Sequence, residues 1–204
     1  LDIGSGAGRT TLPLAEMGLE VVGIDFSPAM IQLAMELAAV SNVNPEFQVM
    51  DVMDLKFPDD SFEIAFFSYN GLELLPGAEG KKMAMREIHR VLKPGGLFVF
   101  STHSPFALNQ FVLLRLKTFL KFIAGKLMGV STQEREFGER FSRDSDEEVK
   151  YLQILPPFII QRMLLDCHFE IEYFNARGRI EEGKKWRWPG IIADGERFYI
   201  ARKK

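Results

Sequence analysis

Short apolar runs alternate with helical stretches through the first half of the chain. Leu1 and Ile3, then residues 20–24, 47–50, 62–68 and 97–102, form runs rich in Val, Ile and Phe, bounded by turn residues. Helical patterns fill residues 10–17, 27–39 and 81–92 between them. Gly18 supplies a stop for the first, and Ser27 followed by Pro28 supplies a cap and a first-turn proline for the second. Asp59-Asp60 and Lys93-Pro94-Gly95-Gly96 read as turns. Strand–helix alternation of this kind predicts an α/β fold, with parallel strands joined by crossover helices.

Beyond residue 104 the pattern changes. Residues 105–128 are strongly apolar, with Phe106, Phe111, Leu114, Phe119 and Phe122 spread along them and Arg115, Lys117, Lys121 and Lys126 interspersed. They predict one or two helices. Residues 132–150 are mixed and charged, with no core face. Pro156-Pro157 opens a further helix to about residue 166, and residues 169–174 and 197–201 read as final strands. A long connection between those strands carries Trp186 and Trp188. The organisation expected is a core in residues 1–104, a cap or insertion of the same domain in 105–150, and completion of the core in 151–204.

Composition narrows the picture a little. At 204 residues the chain can bury a sizeable core without metal or disulfide help. A formal net charge of -3 gives no reason to expect nucleic acid as a partner. Cys167 is the single cysteine, so no internal disulfide and no cysteine-based metal site is expected, in keeping with a cytoplasmic protein. No stretch reads as a signal peptide or a membrane span. The chain opens at the end of a strand and without Met, which suggests a natural protein that begins further upstream.

The strongest chemical signal is Asp2-Ile3-Gly4-Ser5-Gly6-Ala7-Gly8. A strand entering a helix through such a turn brings backbone N–H groups close to a ligand, because glycine has no Cβ in the way. Alone, the segment also reads as a plain structural turn. Asp25 ends the second strand, where a carboxylate can accept from both hydroxyls of a ribose. Asp51-Val52 follows the third strand, where a carboxylate can accept from an adenine amino group and a backbone N–H can donate to the ring. Each carboxylate alone reads as a turn or solvated loop residue. Together, at the carboxyl ends of successive strands, the three mark the edge where open parallel sheets bind ligands.

Leu1 through Gly8, the run Val22-Gly23-Ile24-Asp25-Phe26-Ser27-Pro28-Ala29-Met30 and the run Arg90-Val91-Leu92-Lys93-Pro94-Gly95-Gly96 resemble the hallmark segments of class I S-adenosylmethionine-dependent methyltransferases, of the broad small-molecule group called type 11. The resemblance is dense to about residue 104 and thin afterwards. It implies a Rossmann-like, doubly wound, mainly parallel seven-stranded sheet with an antiparallel last strand, plus the helical cap insertion. It implies S-adenosylmethionine as cofactor and S-adenosylhomocysteine as product. Asp2 would orient the methionine amino group, and the backbone at Gly4, Ser5 and Gly6 would wrap the methionine moiety. Asp25 would hold the ribose, Phe26 and Met30 would pack near the adenine, Asp51 and Val52 would read its edge, and Ser68 would face the amino group or sulfonium. A nicotinamide dinucleotide fits less well. Its fingerprint wants a third glycine where Arg9 stands, and Asp2 would sit beside a pyrophosphate.

The acceptor side is less legible. Methyl transfer is an in-line displacement that needs alignment and a dry pocket, and a base only when the acceptor must lose a proton. Ser68-Tyr69-Asn70-Gly71 is not the Asn/Asp-Pro-Pro-aromatic motif of planar-amine methylation. Tyr69 and His103 are candidate catalytic residues, with a loop histidine bonded to backbone as the plainer reading of His103. Cys167 reads as a core residue, and His168 stands where relatives commonly have glycine. Residues 105–128 read as a cap over a small, apolar or amphipathic acceptor, as a basic amphipathic helix on a membrane surface, or as a dimer contact. A methyltransferase-like binding or regulatory subunit without turnover stays open as a second function class.

Overall fold

A computed structural model describes residues 1–107, 110, 112–128, 134–143, 149–181, 183 and 195–204. Phe111, Trp186 and Trp188 lie outside the described residues.

The first half follows the strand–helix alternation. β1 (Asp2–Ile3), α1 (Thr11–Glu16), β2 (Val22–Asp25), α2 (Pro28–Ser41), β3 (Glu46–Val49) and β4 (Phe62–Phe67) succeed one another. Ser27 caps α2 by accepting from the Met30 N–H, with Pro28 at the first helical position. α3 (Gly77–Val91) then leads into β5 (Leu92–His103). Here the structure corrects the sequence reading. Residues 93–96 are not a turn before a strand but a bulged opening of β5 itself, with the register against β4 slipping between Phe62 and Ile64 and Gly95 at φ +79°.

α4 (Val112–Met128) is a single helix, followed by β6 (Glu139–Arg143), β7 (Val149–Gln153), α5 (Pro157–Asp166), β8 (Phe169–Ala176), α6 (Arg177–Glu181) and β9 (Glu196–Lys203). His168, just past α5, sits in the left-handed region at φ +63°. That is the conformation a glycine would take without strain at a helix end.

Seven strands form one sheet in the order β3-β2-β1-β4-β5-β9-β8. β1 to β5 pair in parallel, while β9 runs antiparallel to both β5 and β8. The chain winds outward from β1 to β3 and then jumps back to β4, so the strand order reverses between β1 and β4. The carboxyl ends of the strands at such a switch point leave a crevice.

One layer of the core lies between the sheet and α3 with α5. Ala84, Met85, Ile88 and Val91 bury one stripe of α3, and Ile160, Met163 and Leu164 bury one stripe of α5. Phe98 and Phe100 project from alternate positions of β5 and stack at 4.4 Å, and Phe100 stacks on Tyr199 of β9 at 4.7 Å. Cys167 belongs to this core, and burial raises its thiol pKa.

The charged stretch 132–150 carries the β6–β7 hairpin, which sequence periodicity does not reveal because its buried positions are polar. Glu139 and Gln153 are buried. Lys81 of α3, also buried, donates to the Leu75 carbonyl at 2.8 Å and to Gln153 Oε1 at 2.9 Å, which ties the hairpin to the core. Burial lowers the Lys81 pKa to about 8, against the pull of Glu73, Glu136 and Glu139.

Candidate active site

The glycine turn after β1 is built from three left-handed residues, Gly4 at φ +66°, Gly6 at +53° and Gly8 at +85°. The turn is pinned on both sides. Ser5 N–H donates to the Ile24 carbonyl at 2.9 Å, and Gly6 N–H donates to Asp25 Oδ2 at 2.9 Å. A Cβ on Gly6 would meet no atom within 4 Å, so the loop faces open space there. Ser5 Oγ is buried and has no hydrogen-bond partner among the described residues.

Asp25 closes this corner. Its second oxygen accepts from Ser27 N–H at 2.9 Å, and Met50 N–H donates to the Asp25 carbonyl at 3.0 Å, joining the ends of β2 and β3. A carboxylate has about four acceptor sites, so two backbone donors leave capacity for a ligand diol. Asp51 accepts from Met53 N–H at 2.8 Å, while the side chain of Val52 is buried in the core. Phe26 and Met30 are exposed beside this edge. Asp2 is placed differently from the rest. It is buried, its carboxylate accepts from Thr11 Oγ1 at 2.6 Å, and burial raises its pKa. The carboxylate thus anchors the start of α1 behind the loop.

At the carboxyl end of β4 two successive residues, Tyr69 and Asn70, hold left-handed backbone at φ +53° and +60°. Each costs of the order of 1–3 kcal/mol without a glycine, and such strain gathers at functional sites. Asn70 N–H donates to Ser101 Oγ at 3.3 Å, and the Arg9 guanidinium lies 4.5 Å from the centre of the Tyr69 ring. A cleft of about 290 Å³ opens here, lined by Thr10, Ser68, Tyr69, Ser101, Glu196 and Phe198 among others.

His103, the last residue of β5, meets a carboxylate that the sequence did not single out. Its Nδ1 lies 2.9 Å from Glu73 Oε2, and its backbone N–H donates to Glu73 Oε1. Glu73 sits on a short 3-10 turn, Gly71–Leu74, and its side chain is 3% exposed while that of His103 is 46% exposed. The hydrogen bond to Glu73 raises the His103 pKa; burial and Arg115 oppose it, and Glu196 adds to it.

Past His103 the chain enters an apolar cavity, also of about 290 Å³, lined by Phe106, Leu116, Phe119, Phe122, Phe137 and Ile154 among others. Phe119 and Phe122 of α4 meet Phe137 edge to face at 6.0 and 6.4 Å. The opposite side of α4 is bare: Leu113, Leu120 and Leu127 are all more than half exposed.

Residues 1–96 match the model of a methyltransferase domain. The whole chain superposes on a S-adenosylmethionine-dependent methyltransferase of Methanosarcina mazei with a TM-score of 0.76 and 28% identity, covering 99% of this chain and 90% of that one. The chain carries a class I methyltransferase domain. Its curated relatives include a 2-methyl-6-phytyl-1,4-hydroquinone methyltransferase of Synechocystis, 38% identical over 48% of this chain and 30% of that protein. A demethylmenaquinone methyltransferase of Staphylococcus aureus is 35% identical over 74% of this chain and 63% of that protein. The chain thus spans between 30% and 63% of the length of these curated relatives. In this class I domain the glycine turn, Asp25 and Asp51 stand together on one edge. With the open space before Gly6 and the unpartnered Ser5 Oγ, they fit the family's cofactor. Glu73, Ser101 and Glu196 join the site only through the tertiary fold.

Proposed function

We propose that this chain transfers a methyl group from S-adenosylmethionine to a small acceptor with an apolar or amphipathic body. The observation that carries the reading is the polar edge on which Asp25 holds the Gly6 N–H of the glycine turn, together with the apolar cavity that the chain enters at Pro105 and Phe106, just past His103. When bound, the cofactor supplies an electrophilic methyl on a sulfonium. Asp25 binds the ribose hydroxyls, Asp51 and the Val52 N–H read the adenine edge, and Phe26 and Met30 cover its faces. The glycine turn and Ser68 hold the methionine part, with Asp2 fixing the turn from behind through Thr11. The described residues of the 105–150 stretch act as the cap, with α4 and the start of β6 walling the acceptor cavity and excluding water. The names of the Synechocystis and S. aureus relatives support a small-molecule acceptor. The single buried cysteine suits a cytoplasmic setting.

Release of S-adenosylhomocysteine from a panel of hydroxyl, amine and thiol acceptors tests the proposal. Turnover on at least one class is the expected result. Cofactor binding with no turnover on any of them would favour a binding or regulatory subunit, and no cofactor binding would sink both.

The bare leucine stripe of α4 supports a second reading, contact with an anionic membrane surface. Leu113, Leu120 and Leu127 share one helix face with Lys117 on its flank. No helix among the described residues is long and apolar enough to cross a membrane. Co-sedimentation with phosphatidylserine vesicles that weakens as salt rises is expected of this surface. Equal recovery in the supernatant with and without vesicles would rule it out.

A further inference from the structure

On β5, Ser101 lines the cleft beside Ser68 and Tyr69, and Phe106, three residues past the end of the strand, lines the apolar cavity. His103 stands between Ser101 and Phe106 along the chain, and two residues on from Ser101 it projects to the same face of the strand. Its Nδ1 edge is held by Glu73, which also takes the His103 backbone N–H, so a single buried carboxylate fixes both the ring and the strand end. Nε2, on the other edge of a half-exposed ring, has no hydrogen bond among the described residues. A histidine that gives its Nδ1 proton to a carboxylate presents a bare Nε2 lone pair when neutral.

We propose that Glu73 and His103 form a general-base pair, and that the acceptor therefore carries an ionisable hydroxyl attached to its apolar body. This rests on the methyl-transfer reading above. The acceptor O–H breaks, its proton passes to His103 Nε2, and the electron pair stays on the acceptor, whose oxyanion is the nucleophile. The imidazolium is held by Glu73 until the proton is lost to water. Glu73 is a positioning residue; His103 alone touches the acceptor.

The charged groups facing the imidazole set its behaviour. Glu73 from the 3-10 turn and Glu196 from β9 favour the charged form, and Arg115 from α4 opposes it. The balance leaves His103 above the ordinary value of 6.5. The Glu73 interaction thus adds stability in full below about pH 6.5, and that contribution is lost as pH rises through the folded value. His89, by contrast, is lowered by burial.

The test has two arms on the same protein. Nitrogen-15 imidazole spectra, tractable with 3 histidines, should show His103 as the Nδ1–H tautomer when neutral, titrating above 6.5. Glu73→Gln should bring that midpoint down. Should Glu73→Gln fail to fold, His103→Gln keeps the backbone bond to Glu73 and carries the second arm. With naphthohydroquinone as probe, His103→Gln should lose about 100-fold in kcat with calorimetric S-adenosylmethionine affinity unchanged. Wild-type kcat/KM should rise with pH through the His103 midpoint. Unchanged kcat in His103→Gln, a His103 midpoint at or below 6.5, or wild-type turnover on amines or thiols but not hydroxyls would overturn the base pair alone. Cofactor binding without turnover on any acceptor class would instead overturn the methyl-transfer reading beneath it.

Discussion

Asp25→Ala is expected to weaken S-adenosylmethionine binding roughly ten- to hundredfold, because a hydrogen bond to a charged acceptor contributes about 1.5–3 kcal/mol. The loss has two physical parts. The ribose hydroxyls lose a charged acceptor, and Gly6 N–H and Ser27 N–H lose the oxygens that hold the glycine turn against the end of β2. Asp25→Asn separates them. An amide keeps one acceptor for the turn but loses the charge, so its affinity should fall between wild type and Asp25→Ala. Asp51→Ala should cost less than Asp25→Ala, since Asp51 holds one backbone donor, Met53 N–H, where Asp25 holds two and with them the glycine turn. Isothermal calorimetry reads all three, and an affinity unchanged in Asp25→Ala would remove this carboxylate from the cofactor site.

Gly71→Ala is expected to destabilise the fold by about 3 kcal/mol, at the upper end of what overpacking costs. A Cβ at residue 71 would lie 2.1 Å from Phe67 Cε2 and 2.6 Å from Cδ2. Phe67 is a buried ring at the end of β4, and it already stands 3.2 Å from the place a Cβ on Gly4 would occupy. Buried as it is, the ring yields only by repacking its neighbours. The alternative is for the 3-10 turn to move, which would carry Glu73 away from His103. Urea unfolding measures the first effect, and the His103 titration midpoint measures the second. A midpoint and a stability both equal to wild type would show that the core gives way more easily than its packing indicates.

The parts of the fold most legible in the sequence were those where one residue type carries one backbone task. Ser27-Pro28 marks the start of α2, and the glycines after β1 mark a turn that needs left-handed backbone. Where a residue type has two uses, the reading failed. Lys93-Pro94-Gly95-Gly96 has turn composition, yet it opens β5 as a bulge because β4 is there to pair with it. The β6–β7 hairpin went unread for a different reason. Alternation of apolar and polar residues marks a strand only when its inner face is apolar, and this hairpin turns Glu139 and Gln153 inward toward Lys81 and Tyr151. Within the site, Asp25 and Asp51 stood out because each ends or follows a strand, and Asp2 because it leads into the glycine turn. Glu73 did not, since nothing near it in sequence distinguishes it from a surface glutamate. Its meaning comes from His103, and only the folded sheet brings the two together.

The position of β9 bears on the order in which the site can assemble. It is the latest strand in this sequence, yet it lies between β5 and β8 and pairs His103 with Glu196. Until it docks, β5 and β8 both have open edges, and an unpaired edge is a template for association with other chains. Pairings between segments so far apart along the chain bear the largest loop-closure cost and form slowly. The ribose and adenine corner draws on β1, β2 and β3 and can take shape early. The acceptor side, by contrast, stays unfinished until the closing strand slides into its slot, which makes this the step where misassembly and aggregation compete with folding.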